Sequence, residues 1–163
     1  MIHEIHPQYF EVEDSGQFMA EKTLFQKILS GEIPGNFIAR GDNWASFLDV
    51  FPRAPGHTLV VPHSPVQRIV DLSDNEITHL FEGVKQTQSI LSSFFETEDF
   101  TVMVHDGPKA GQEIPHVHIH LIPRTEGDKG LALPAIFPNA NPPNPPDFTH
   151  LASLCQQIKE ASE

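Results

Sequence analysis

The chain has 163 residues, 39% of them hydrophobic and 20% charged, enough for one domain with its own core. Its formal net charge of −12 argues against non-specific binding to nucleic-acid phosphates, which needs clustered Lys and Arg, though backbone N–H groups can still hold a small nucleotide. One cysteine, no run of the roughly 18–20 apolar residues that cross a bilayer, and no basic-then-apolar leader at the start predict no disulfide framework, Cys-based metal site, membrane span or signal peptide, and an intracellular, cytoplasmic protein.

Residues 1–20 are polar and acidic and read as an N-terminal extension. Over 23–30, Leu24, Phe25, Ile28 and Leu29 make one helical stripe, with Gly31 as the C′ residue and Pro34 as the stop. Residues 36–40 and 44–50 read as paired strands about a turn at Gly41, Asp42 and Asn43. A loop from Pro52 to Gly56 precedes a short apolar strand, Thr58 to Val61, closed by Pro62. Ser73 and Glu76 have the spacing of a capping box. Ile77, Leu80, Phe81, Val84 and Leu91 follow at helical spacing and predict a helix to about Phe95, ~33 Å long at 1.5 Å per residue. Phe100 to His105 is another strand, and Asp106 to Gln112 a loop with two glycines. Further on, Pro134, Pro138, Pro142, Pro143, Pro145 and Pro146 rule out regular helix or central strand and predict an extended arm. Asp147 can cap a last helix with Phe148, Leu151, Leu154 and Ile158 as its stripe. The organisation expected is an extension at 1–20, a domain at 21–130, and a Pro-rich arm with a C-terminal helix at 131–163.

The stretch that carries chemistry lies between the glycine loop and Arg124. His116, His118 and His120 alternate with Val117, Ile119 and Leu121, the period of a β-strand. On a strand the three imidazoles would line one face, successive ones roughly 6.5–7 Å apart along the chain. Imidazole is a nucleophile, a proton carrier and a metal ligand near neutral pH. The loop just before it can bring backbone N–H groups to an anion, so a phosphate would lie beside an imidazole nucleophile. Attack on phosphorus needs a neutral ring nitrogen whose partner nitrogen is fixed by an acceptor, and a second imidazole at the phosphoryl oxygens or leaving group. Two His at i and i+2 can also chelate a metal, although no carboxylate cluster with metal-ligand spacing accompanies them in the sequence.

His116-Val-His-Ile-His-Leu-Ile resembles the His-x-His-x-His-x-x signature of the histidine triad family, where x is apolar. The resemblance covers about residues 23–127. Residues 23–34 look like the family's opening helix, 47–50 and 54–62 like its nucleoside-binding strands, and 106–112 like the glycine loop of the Fhit branch. It implies an α+β domain: an antiparallel sheet of about five strands, a short N-terminal helix and one long helix, pairing into a homodimer with a continuous sheet. The implied activity is nucleotidyl hydrolysis or transfer at the α-phosphate of a purine nucleotide, with adenine the family default. Substrates of this kind include dinucleoside polyphosphates and nucleoside phosphoramidates.

In that resemblance His118 matches the nucleophile that forms a nucleotidyl-histidine intermediate, His120 the residue at the phosphate and bridging region, His116 its support, and His57 a further His of the cluster. Asp49 occupies the ribose-binding position of Hint-like members; Phe25, Ile28 and Phe47 are candidate pocket walls; Gly111 and Gln112 belong to the phosphate loop. Two nucleotide-binding positions depart from the pattern. His105 stands where Hint-like members have Asn and Fhit-like members Gln, and Glu113 replaces a Ser or Thr beside the phosphate. Thr23 and Gln26 stand where zinc-containing relatives have Cys-x-x-Cys, so no structural zinc, no other metal and no cofactor are expected. Two other classes remain open: a metal-dependent hydrolase built on the histidine strand, and a nucleotide-binding module with little turnover.

Overall fold

The structure is a computed structural model that describes residues 21–128 together with Thr149. The N-terminal extension, the Pro-rich arm and the closing helix expected from the sequence lie outside the described residues. Pro123 closes a first compact unit and Arg124 opens a second, in whose described part Arg124 pairs with Asp128 at 2.7 Å.

The first helix, α1 (Leu24–Leu29), starts at a capping box: the Thr23 hydroxyl accepts from Gln26 N–H at 3.1 Å, and the Gln26 side chain returns to Thr23 N–H at 2.9 Å. It ends at Gly31, whose φ of 81° is the left-handed conformation that a C′ glycine supplies. Strands β1 (Phe37–Arg40) and β2 (Trp44–Leu48) form the expected hairpin, with a bulge between Phe37 and Ala39. Strand β3 (Thr58–Pro62) pairs with β2 along its whole length. Helix α2 (Asp74–Phe95) begins at the Ser73–Glu76 capping box and ends at Glu96, a non-glycine residue at φ 51°. Strands β4 (Phe100–Met103) and β5 (Ile119–Pro123) complete an antiparallel sheet of order β1-β2-β3-β5-β4. The last strand of the chain thus lies between two earlier ones, so β5 is central and β4 is an edge.

Alternation along the central strands sorts side chains onto two faces. On one face Trp44, Val60, Ile119 and Leu121 pack with Leu80, Val84 and Leu91 of α2. Burying each such aliphatic side chain contributes roughly 1.5–3 kcal/mol. Gly83 lets α2 come close: a Cβ there would lie 2.5 Å from the Trp44 ring. Thr87 donates to the Ser46 hydroxyl at 2.9 Å in the same layer, so neither buried oxygen is orphaned. On the other face Phe47, Leu59 and Val61 pack with Phe25 and Ile28 of α1. α1 covers only one end of that face, and the histidines occupy the rest.

Three strands are shorter than the sequence predicts. β2 stops at Leu48 because the Asp49 carboxylate accepts from Phe51 N–H at 2.9 Å and turns the chain. β4 stops at Met103, before His105. The histidine strand begins only at Ile119, because His116 N–H donates to Ile114 O and Val117 N–H to Val66 O instead of to a neighbouring strand. Only His120 of the three lies in regular strand.

Candidate active site

His120 projects from β5 on the face away from α2, between Leu59 of β3 and Met103 of β4. His118 and His116 approach that face from the irregular segment before it, and His57 from the mouth of the β2–β3 loop. The rings of His118 and His120 lie 5.0 Å apart, those of His57 and His120 5.1 Å, and those of His105 and His120 5.5 Å. Four histidines from three parts of the chain therefore meet around His120.

Hydrogen-bond partners decide where each proton sits. A backbone carbonyl can only accept, so His118 Nδ1 carries a hydrogen and donates to His116 O at 2.7 Å. Nε2 of His118 is then the nitrogen with the lone pair, and no described residue bonds to it. His57 Nδ1 accepts from Arg53 N–H at 3.1 Å, which leaves the proton on Nε2. That N–H donates to His120 Nδ1 at 2.9 Å, with Asp49 Oδ2 at 3.5 Å beside it. His120 must then hold its own proton on Nε2, a buried atom with no partner. A buried donor without an acceptor is costly, and an anionic oxygen placed there would relieve it. The described site thus offers a lone pair at His118 and a donor at His120 on adjoining rings.

His116 supports this arrangement from beneath. It has no exposed surface; its Nε2 donates to Pro62 O at 2.9 Å and its Nδ1 accepts from the Thr23 hydroxyl at 2.8 Å. Thr23 therefore does two tasks, accepting at the α1 cap and donating to His116. The Phe25 ring stands edge-on to His116 at 5.5 Å and to His118 at 5.2 Å. The helix cap, the supporting histidine and the proposed nucleophile form one continuous packed unit.

Burial sets the charge state. Desolvation is the largest influence on His57, His116, His118 and His120 and lowers the pKa of each. His120 is pushed down to about 4, with His118, His57 and His105 adding to the effect. The His116 carbonyl pulls His118 back up without overcoming burial. All four are thus held toward the neutral form, which a nitrogen nucleophile requires.

The remaining expected positions divide. Asp49 stands beside His57, with Oδ1 held by Phe51 N–H and Oδ2 toward the cluster. Phe25, Ile28 and Phe47 are core residues, at 4%, 9% and 3% exposure, so any base would meet only the edge of that cluster. In the glycine loop, the N–H groups of Ala110, Gly111 and Gln112 close on the carbonyls of Gly107 and Pro108. The loop is therefore folded on itself, and those three groups do not form an open nest. Gln112 is buried, its Nε2 bound to Gln67 O at 2.8 Å, while Glu113 is exposed.

Several partners are not evident from the motif. The segment 66–69 braces the loop: Val66 O accepts from Val117 N–H, Arg68 donates to Asp106 O at 2.8 Å, and Ile69 N–H donates to Asp106 Oδ1 at 3.1 Å. The cap pattern Thr23-x-x-Gln26 is readable in the sequence, but the reach of its hydroxyl to His116 across 93 positions is not. A metal-ligand constellation was also missed: Asp49, His57 and His120 offer ligand atoms all within 4.8 Å of one another. A metal there would have to replace the His57–His120 hydrogen bond.

The HIT domain family model matches residues 30–127. An uncharacterized HIT-like protein of Methanocaldococcus jannaschii is 40% identical over 105 residues, which are 64% of this chain and 81% of that protein. A bis(5′-nucleosyl)-tetraphosphatase (asymmetrical) of Schizosaccharomyces pombe is 40% identical over 84 residues, 52% of this chain and 46% of the enzyme. A crystal structure of a histidine triad nucleotide-binding protein from Candida albicans superposes with a TM-score of 0.71 at 28% identity, covering 85% of this chain and 96% of that one.

Proposed function

The chain belongs to the histidine triad family, and from that premise we propose that it is a nucleotidyl hydrolase or transferase acting at the α-phosphate of a purine nucleotide, with adenosine the first candidate. The observation that carries this is the anchoring of His118: Nδ1–H is fixed to His116 O at 2.7 Å, leaving Nε2 as a held, neutral lone pair. His118 Nε2 attacks the α-phosphorus, a P–N bond forms, and the bond to the leaving group breaks. His120 Nε2–H, otherwise unpartnered, donates to the oxygen that gains charge. Water then attacks the nucleotidyl-His118, the P–N bond breaks, and the mononucleotide leaves.

The rest of the nucleotide is assigned around that centre. Asp49 accepts from the ribose hydroxyls, and the edge of the Phe25, Ile28 and Phe47 cluster receives the base. Gly111, Gln112 and Glu113 line the phosphates, and His105 stands on the leaving-group side. The similar Schizosaccharomyces pombe enzyme supports a dinucleoside polyphosphate as substrate. A homodimer is part of the proposal; β4 is an edge strand, and Val102 on it and Phe81, Ile90 and Phe94 on α2 are exposed. No nucleic-acid partner is proposed, and among the described residues no helix is long and apolar enough to cross a membrane.

The test is a hydrolysis panel of diadenosine polyphosphates, adenosine phosphoramidates and acyl-adenylates with wild type and His118→Ala. Turnover by wild type and its loss in His118→Ala are expected; wild-type rates in the variant would remove His118 as nucleophile. Purine nucleotide binding without turnover of any substrate would favour a binding module. The Asp49, His57 and His120 constellation favours a second reading, metal-assisted hydrolysis. Stoichiometric metal in the purified protein, with activity abolished by a chelator, would establish that reading and displace the first.

A further inference from the structure

The site described so far supplies a nucleophile but no ready proton for the leaving group. His57 and His120 each hold one proton in a fixed relay, and His120 Nε2–H, on a neutral ring, stabilises an oxyanion by hydrogen bonding but is too weak an acid to give its proton away. His118 spends its N–H on the His116 carbonyl. Leaving groups that depart as stable anions need nothing more, whereas an amine or a simple alcohol leaves only with a proton.

His105 is placed to supply it. It follows the end of β4, two residues beyond Met103, which pairs with His120, so it extends on the same face. Its ring meets the His120 ring at 5.5 Å with planes at 78°. Nδ1 donates to Ala110 O at 2.6 Å, so that nitrogen is committed to the loop. Gly111 seats the same edge of the ring: a Cβ there would lie 3.5 Å from Nδ1 and 3.9 Å from Cε1. The free nitrogen is therefore Nε2, and the ring is half-exposed, so it exchanges protons with water, unlike the buried His57, His116 and His118.

We infer that His105 is the acid–base residue of the leaving-group side, extending the substrate range to nucleotide conjugates with a basic leaving atom, phosphoramidates above all. This rests on the nucleotidyl-transfer reading above. In the first step His118 Nε2 attacks phosphorus, the bond to the leaving nitrogen or oxygen breaks, and its electron pair takes the proton from His105 Nε2. In the second step water attacks phosphorus, the P–N bond to His118 breaks, and the water proton returns to His105 Nε2. Proton and electrons balance over the cycle without a co-reactant.

The groups that face His105 are His118 and His120, with Asp49 and His57 behind them and Asp106 and Glu113 on its own loop. Asp106 and Asp49 each accept a backbone N–H, from Ile69 and Phe51, so neither is free to take over the proton.

The test compares the p-nitrophenyl ester, the phenyl ester and the N-ethyl phosphoramidate of AMP, read as kcat/KM with wild type, His105→Gln and His105→Asn. Gln and Asn can hydrogen-bond but cannot titrate. The loss in both variants should grow with leaving-group basicity, reaching about 100-fold or more on the phosphoramidate, the range general acid catalysis supplies. The alkaline fall of the wild-type phosphoramidate profile should disappear in the variants. A loss of the same factor on all three substrates, or an unchanged pH profile, overturns the assignment of His105 alone. Failure of wild type to turn over any of the three overturns both this inference and the reading beneath it.

Discussion

Thr23→Val is the most informative single change away from the reacting atoms. Valine keeps the shape of threonine and removes one hydroxyl that makes two bonds. The first is acceptance from Gln26 N–H at the α1 cap, worth about 1 kcal/mol. The second is donation to His116 Nδ1; because His116 is fully buried, its loss strands an acceptor at about 1–3 kcal/mol. Together they predict a loss of about 2–4 kcal/mol, with no allowance for relaxation. Thr23→Ser keeps both bonds and should lose less than about 1 kcal/mol. Urea unfolding of the three proteins measures this, since a shift in midpoint at constant slope reports stability. Thr23 touches His116 rather than substrate, so Val should lower kcat with little change in KM, and Ser should restore it. Val and Ser variants of equal stability and equal kcat would refute the idea that the hydroxyl couples the helix cap to the nucleophile.

Acid should weaken the fold through the histidine cluster. Its members have native pKa values below the unfolded value of about 6.5, so the unfolded chain binds more protons as pH falls. The stability they contribute is complete above that value and is lost on descent toward the native pKa; for His120, at about 4, this amounts to roughly 3 kcal/mol at most. Unfolding midpoints near neutral pH and near the lower limit should differ less in His120→Gln than in wild type, and an identical difference would exclude the mechanism. Gly83→Ala places a Cβ 2.5 Å from the Trp44 ring and should cost about 1–3 kcal/mol by overpacking, read from the thermal midpoint. His57→Phe removes the N–H that fixes the His120 tautomer and should lower kcat at least about tenfold in steady-state turnover. An unchanged rate would show that the relay is structural.

Much of this molecule is legible from local pattern. The Ser73–Glu76 box and the apolar spacing behind it mark both ends of α2 to within a residue, because capping and amphipathicity are local properties. The hairpin of β1 and β2 follows from alternation about a polar turn for the same reason. Patterning failed where side chains or distant backbone claim hydrogen bonds that a strand would use. Asp49 turns the chain with its own carboxylate, and Val66 takes the N–H of Val117 away from the sheet. Alternation placed three imidazoles on one face, and they do converge, but by different routes: His120 by strand pleat, His116 and His118 by irregular backbone. The motif identified the histidines and not what orients them. The Arg53 N–H, the Pro62 carbonyl and the Thr23 hydroxyl are ordinary groups whose roles appear only when the chain is folded. The glycine loop gave the opposite lesson, since its N–H groups, read as a phosphate nest, are consumed within the loop.

The central claim is a covalent bond between His118 and the α-phosphorus. Mixing the protein with a diadenosine polyphosphate and quenching in alkaline denaturant, where a P–N bond survives better than in acid, allows its peptides to be weighed. The account predicts one mononucleotide on the peptide at His118 Nε2, appearing before product and absent in His118→Ala. Full turnover with no adduct, or an adduct on another residue, would contradict it.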